Sequence, residues 1–108
     1  MSRQRFSPAA FAVIAERFRA LGEPARLAIL DALRDGERTV TELVAVTGQA
    51  QANVSRHLGV LHAAGLVSRR REGLYVHYAV ADDDVYRLCD LMCSRLQRDA
   101  EAMARAVG

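Results

Sequence analysis

A mainly α domain with one small β-hairpin, in the order α-α-α-α-β-β-α, is what this 108-residue sequence predicts. Three observations carry that expectation. Four stretches within the first 65 residues place apolar side chains at helical spacing, and each is closed by a glycine. The period then falls to two over residues 66–80. Finally, a run from about 83 to 106 returns to the helical period. The length suits a single domain covering 1–108, with about half the residues apolar and a quarter charged.

The first helix is expected over about 8–20. Ser7 can cap it, Pro8 fits its first position, and Phe11, Ile14, Ala15 and Phe18 recur on one face before Gly22. Pro24 opens the second helix, with Leu27, Leu30 and Leu33 facing inward and Gly36 at its end. "TVTELVAVTG" is a short third helix. Thr39 and Glu42 match a capping box, Leu43 and Val46 point inward, and Gly48 stops it. After the turn Gly48-Gln49-Ala50 comes a fourth helix, "QANVSRHLGVLHAAG", with Val54, Leu58 and Leu61 on its buried face.

"LVSRRREGLYVHYAV" then reads as two strands around a turn at Glu72-Gly73. Leu66 and Val67 enter the first strand; Tyr75, Val76, Tyr78 and Val80 make the second. Asp82, Asp83 and Asp84 supply a cap and dipole-favoured charge to the last helix, which spans roughly 35 Å at about 1.5 Å per residue. Two helices joined by a tight glycine turn and followed by a hairpin make a winged helix-turn-helix.

Charge points to the partner. The net charge is only +2, yet residues 51–80 hold Arg56, Arg69, Arg70 and Arg71 against the single acid Glu72. Such a cluster attracts phosphate even when the total is near neutral. With Val54, Leu58 and Leu61 buried, the outer face of the fourth helix carries Ala52, Ser55, Arg56 and Gly59, with Gln51 at its start and Asn53 beside it. Gln and Asn can read adenine, Arg can read guanine, and Ser serves base or phosphate. The small residues Ala52 and Gly59 permit a close approach to a duplex. Strand alternation sends Arg69 and Arg71 to one side and Arg70 to the other. Three adjacent arginines at a turn are costly to assemble unless an anion meets them. His57 and His62 are read as solvated or close to the DNA backbone, and His77 as a cross-strand neighbour.

At this point "GQAQANVSRHLGVLHAAGLVSRRREGLYVHY", together with "FRALGEPARLAILDALRDGERTVTEL", resembles the ArsR/SmtB family of winged-helix bacterial repressors. The resemblance covers roughly residues 10 to 100. It implies a homodimer formed through the first and last helices, and binding to a double-stranded DNA operator that a metal, a metalloid or a thiol oxidant relieves. It also implies groove-reading residues at Gln51, Ala52, Ser55 and Arg56 and wing contacts near Arg70 and Arg71. Three departures stand out. Ala50 replaces the usual Ser or Thr cap, leaving Gln49 as a substitute. Val44 and Val46 occupy the family's thiolate positions. Asp84-Val85-Tyr86 lacks the histidine of the family's zinc site, and Gln97 and Ala100 fall where its later ligands would stand.

The effector question therefore falls on Cys89 and Cys93, the only cysteines. Side chains at i and i+4 on a helix lie about 5–6 Å apart. Rotamers can bring both sulfurs onto one soft ion such as As(III), Cd(II) or Zn(II), at about 2.3 Å for zinc. A twofold axis or another ligand would have to complete the site. The same pair could instead serve as a thiol redox or persulfide switch across a dimer. Cys89 also lies in an apolar stripe with Val85, Met92, Leu96 and Met103, where a cysteine is ordinary packing.

Other classes find less in the sequence. No apolar run can span a bilayer, and the basic N-terminus lacks the apolar core of a signal peptide, so a cytoplasmic location is expected. No Ser-His-Asp or phosphate-loop pattern points to an enzyme. A Cys89–His77 pair is compatible with spacing, but a cysteine in an apolar helical stripe is a poor nucleophile. A protein-interaction module without duplex affinity is the remaining alternative, and the basic hairpin opposes it.

Overall fold

The structure is a computed structural model that describes residues 5–108. The first four residues, including Arg3 of the basic N-terminus, lie outside the described residues.

The order is α1 (Pro8–Leu21), α2 (Pro24–Ala32), α3 (Val40–Thr47), α4 (Gln51–Ala63), β1 (Val67–Glu72), β2 (Tyr75–Val80) and α5 (Asp84–Val107), as the sequence predicts. The caps explain the boundaries. Ser7 Oγ accepts the Ala10 amide at 3.2 Å, with Pro8 already set for helical φ. At α3 the capping box forms: Thr39 Oγ1 accepts the Glu42 amide at 3.2 Å, and Glu42 Oε1 accepts the Thr39 amide at 3.1 Å. Gly48 leaves that helix at φ 73°, a left-handed conformation that glycine adopts without strain. At α5 the cap is shifted by one residue, because Asp82 Oδ1 rather than Asp83 accepts the Asp84 amide at 2.9 Å.

The core is built where α2, α3 and α4 meet. Ile29, Leu30, Leu33, Leu43, Val54, Leu58 and Leu61 are all essentially inaccessible, and Leu66 and Val67 close one end. Each such side chain contributes about 1.5–3 kcal/mol by leaving water. Two expected core positions are corrected. Val46 is 53% exposed, because the inward face of α3 runs through Val40, Leu43 and Val44 instead. Leu27 is 40% exposed, and Ile29 takes the buried place beside Leu30.

The hairpin is antiparallel, from Val67 opposite Val80 to Glu72 opposite Tyr75. The two-residue turn is Gly73-Leu74, one residue later than expected. Gly73 has φ 60°, matching the first position of a II′ turn, and Leu74 keeps negative φ. Two backbone bonds tie the hairpin to the α2–α3 connection: Arg38 N–H donates to Tyr78 O at 3.0 Å, and Tyr78 N–H donates to Arg38 O at 2.9 Å.

The outer helices leave apolar faces uncovered. Phe11 and Phe18 on α1 are more than half exposed, as are Leu91, Met92, Leu96 and Met103 on α5. Of the predicted α5 stripe only Val85 and Cys89 are partly covered within the chain. Tyr86 anchors the start of α5, its hydroxyl donating to Leu30 O at 2.7 Å, and Arg34 stacks on the ring at 4.3 Å from its centroid. Among the described residues no helix is long and apolar enough to cross a membrane.

Candidate nucleic-acid interface

Burial of Val54, Leu58 and Leu61 fixes the rotation of α4. Gln51, Ala52, Asn53, Ser55, Arg56 and Gly59 are consequently all exposed. Arg56 Nη2 lies 3.5 Å from Asn53 Oδ1, one turn back on the helix. A methyl built on Gly59 meets nothing within 4 Å, so the middle of this face is flat.

The start of α4 has no side-chain cap, since Ala50 stands at the N-cap. Gln49 does not substitute for it. Its Nε2 donates instead to Ala25 O on α2 at 2.9 Å, and its Oε1 is buried without a partner. The first amides of α4 therefore stay open at the positive end of the helix dipole.

His57 requires a correction. It is only 5% exposed, turned toward α2, with Nδ1 3.4 Å from Arg26 Nη1. Arg26 also donates to Ala20 O at 2.6 Å and Arg19 O at 3.1 Å, which joins the end of α1 to α4. His57 is thus neither solvated nor placed to reach a duplex. Burial, followed by the charges of Arg56 and Arg26, holds its imidazole below the ordinary histidine range. His62 is half-buried; His77 pairs across the hairpin with Arg70, as expected.

The hairpin sorts its arginines by side. Arg69 and Arg71 share a shallow groove with Val76 and Tyr78. Arg70 faces the other way and finds its anion within the chain. Its Nε and Nη2 both donate to Glu37 at 2.9 Å, and its Nη1 donates to Glu72 at 2.7 Å. Hydrogen bonding to Glu37, then to Glu72, raises the Arg70 pKa further above its ordinary value, and the same bonds lower both carboxylates. Glu37 gave no signal in the sequence; it is one acid in a loop, 33 residues from its partner.

The two cysteines are free. Cys89 lines a small cavity between α2 and α5 with Leu27, Leu30, Asp31, Arg34 and Tyr86, while Cys93 is exposed one turn on. Among the described residues no group of three or more His, Cys, Asp or Glu side chains is gathered to hold a metal ion. The two thiols alone are thus half of a site at most.

Comparison with known proteins gives a consistent picture. The profile of the family described as "Bacterial regulatory protein, arsR family" matches residues 23–69. The HTH-type transcriptional regulator Rv0081 of Mycobacterium tuberculosis is 41% identical over 75 residues, covering 68% of this chain and 66% of that protein. A probable mercury resistance operon repressor of Streptomyces lividans is 44% identical over 75 residues, covering 69% of this chain and 58% of the relative. The matches thus span less than two thirds of the length of these relatives. Among solved structures, the homodimeric winged helix-turn-helix DNA-binding domain of Mycobacterium bovis Mb0332, a possible ArsR-family regulator, superposes with a TM-score of 0.78. It is 36% identical, and the match covers 94% of this chain and 95% of that one.

Proposed function

Since this chain belongs to the ArsR family of bacterial transcriptional regulators, with their winged helix-turn-helix fold, we propose that it is a cytoplasmic homodimeric repressor. It binds a double-stranded DNA operator and leaves it when a thiophilic ligand occupies Cys89 and Cys93. The observation that carries the DNA-binding half is the continuous outer face of α4, Gln51, Ala52, Ser55 and Arg56, held outward by a fully buried opposite side. The helix enters the major groove, with Arg56 and Gln51 at base edges, and Arg69 and Arg71 reach the flanking phosphates. The exposed apolar faces of α1 and α5 supply the dimer contact.

The effector half rests on the cavity beside Cys89. A ligand there sits where Tyr86 and Arg34 fasten α5 to α2, so it can alter how the two recognition helices are spaced. It must bind the released form more tightly, with a coupling of about 1–3 kcal/mol. As(III), Cd(II) or Zn(II) is the preferred class, the site being completed by a second copy. The exposure of Cys93 favours a second reading, in which oxidation or persulfidation of the thiols replaces metal.

The test takes the reduced protein and an operator found by selection from random duplexes. Arg56→Ala should relax preference at one base pair by about 1–3 kcal/mol, and Arg71→Ala should weaken all sequences and flatten the salt dependence by about 0.9. Unchanged affinity in both would overturn the DNA reading. Release by As(III), Cd(II), Zn(II), peroxide or persulfide is then compared with Cys89→Ser and Cys93→Ser. If both variants respond as the wild type does, the cysteines are packing residues.

A further inference from the structure

We propose that Glu37, assisted by Glu72, is a positioning residue for the wing. By holding Arg70 it fixes the hairpin against the body of the domain and withholds one cation from DNA phosphate, leaving duplex affinity to α4, Arg69 and Arg71. This inference rests on the DNA-binding reading above.

All three guanidinium nitrogens of Arg70 are engaged, Nε and Nη2 by Glu37 and Nη1 by Glu72. A phosphate reaching the two remaining N–H donors of Arg70 would meet a guanidinium whose charge two carboxylates already offset. Glu37 sits next to Arg38, whose backbone pairs with Tyr78 of β2 through two hydrogen bonds. One two-residue segment therefore pins both strands: Glu37 through the side chain of β1, Arg38 through the backbone of β2. His77, opposite Arg70 in the register, adds Nε2 at 3.8 Å from Glu72 to the same face.

Exposed ion pairs of this kind add little to global stability. Their effect lies in the local opening of the hairpin and in where charge is placed. The pairing relieves repulsion along Arg69-Arg70-Arg71, and it removes the middle member from the sequence-independent attraction that phosphate exerts on any free cation. Limiting that attraction lowers affinity for every duplex alike, so that a larger share of operator binding rests on base contacts.

The experiment needs no known operator. Binding of the full chain to a random-sequence duplex is followed by fluorescence anisotropy over a salt series, for wild type, Glu37→Gln, Arg70→Gln, the double variant and Arg71→Gln. Glu37→Gln should bind more tightly and steepen the slope of log K against log salt by about 0.9, one added phosphate contact. Arg70→Gln and the double variant should keep the wild-type slope. Hydrogen exchange of the hairpin amides, measured in the free protein, should quicken in Glu37→Gln and Arg70→Gln alike. A flattening by about 0.9 in Arg70→Gln would overturn the proposal by making Arg70 a phosphate ligand, and an unaltered slope in Glu37→Gln would overturn it by showing that Glu37 withholds no cation. Unaltered exchange would overturn it equally. If neither wild type nor Arg71→Gln shows salt-dependent binding, the DNA reading itself fails, while the exchange measurement still judges the latch.

Discussion

Replacing Gly59 by alanine separates folding from binding within a single residue. Gly59 lies in the interior of α4, its φ outside the left-handed region, and a Cβ there meets no heavy atom within 4 Å. The helix consequently pays for glycine's freedom without any packing return, about 0.5–1 kcal/mol relative to alanine. Gly59→Ala should recover that amount. At about 4–8 °C per kcal/mol for a domain near this size, Tm should rise by about 2–8 °C. Protein concentration must be held fixed, because a dimer melts in a concentration-dependent way. The same methyl projects from the face that carries Ala52, Ser55 and Arg56, and so holds the helix away from the groove. Operator affinity should fall by about tenfold, equivalent to about 1.4 kcal/mol. Thermal melts and anisotropy titrations on the same preparation supply both numbers. A higher Tm with unchanged affinity would show that this face does not lie on the duplex, and a lower Tm would refute the account of the helix itself.

Two other outcomes follow from the packing. The folded pKa of His57 is depressed, first by burial, so as pH falls the unfolded chain takes up a proton before the native one does. Stability should be complete above about pH 6.5 and decline as pH drops below it; thermal melts of His57→Gln should lack that part of the decline, and an identical pH dependence in wild type and variant would contradict the assignment. Leu96, 61% exposed on α5, should be dispensable to the single chain yet needed by the pair. Leu96→Glu should sediment as a monomer with native circular dichroism and weak operator binding, and a variant that remains dimeric would move the interface elsewhere.

Much of the fold was legible because local rules settle it. Thr39 and Glu42 announce the start of α3, Gly48 its end, and the change from helical to alternating period places the hairpin within a residue. The outer face of α4 was legible for the same reason, since three buried positions at i, i+4 and i+7 determine what points away. The errors lie where rotation is decided by distant partners. Val46 sits on a helix of eight residues, too short for its spacing to define the inward direction. His57 is polar, and only the approach of Arg26 from another helix makes its burial tolerable. Alternation set Arg70 apart from Arg69 and Arg71, but nothing in the sequence links it to Glu37. Pairings across 33 residues carry no periodic signature.

The bare apolar flanks of α1 and α5 bear on dosage. If only the paired form can grip two half-sites, then below the pairing constant the occupied fraction of an operator grows with the square of the amount of chain present. A twofold change in synthesis would shift occupancy about fourfold in that regime, by mass action alone. Fourfold is about 0.8 kcal/mol, just short of the coupling proposed for an effector.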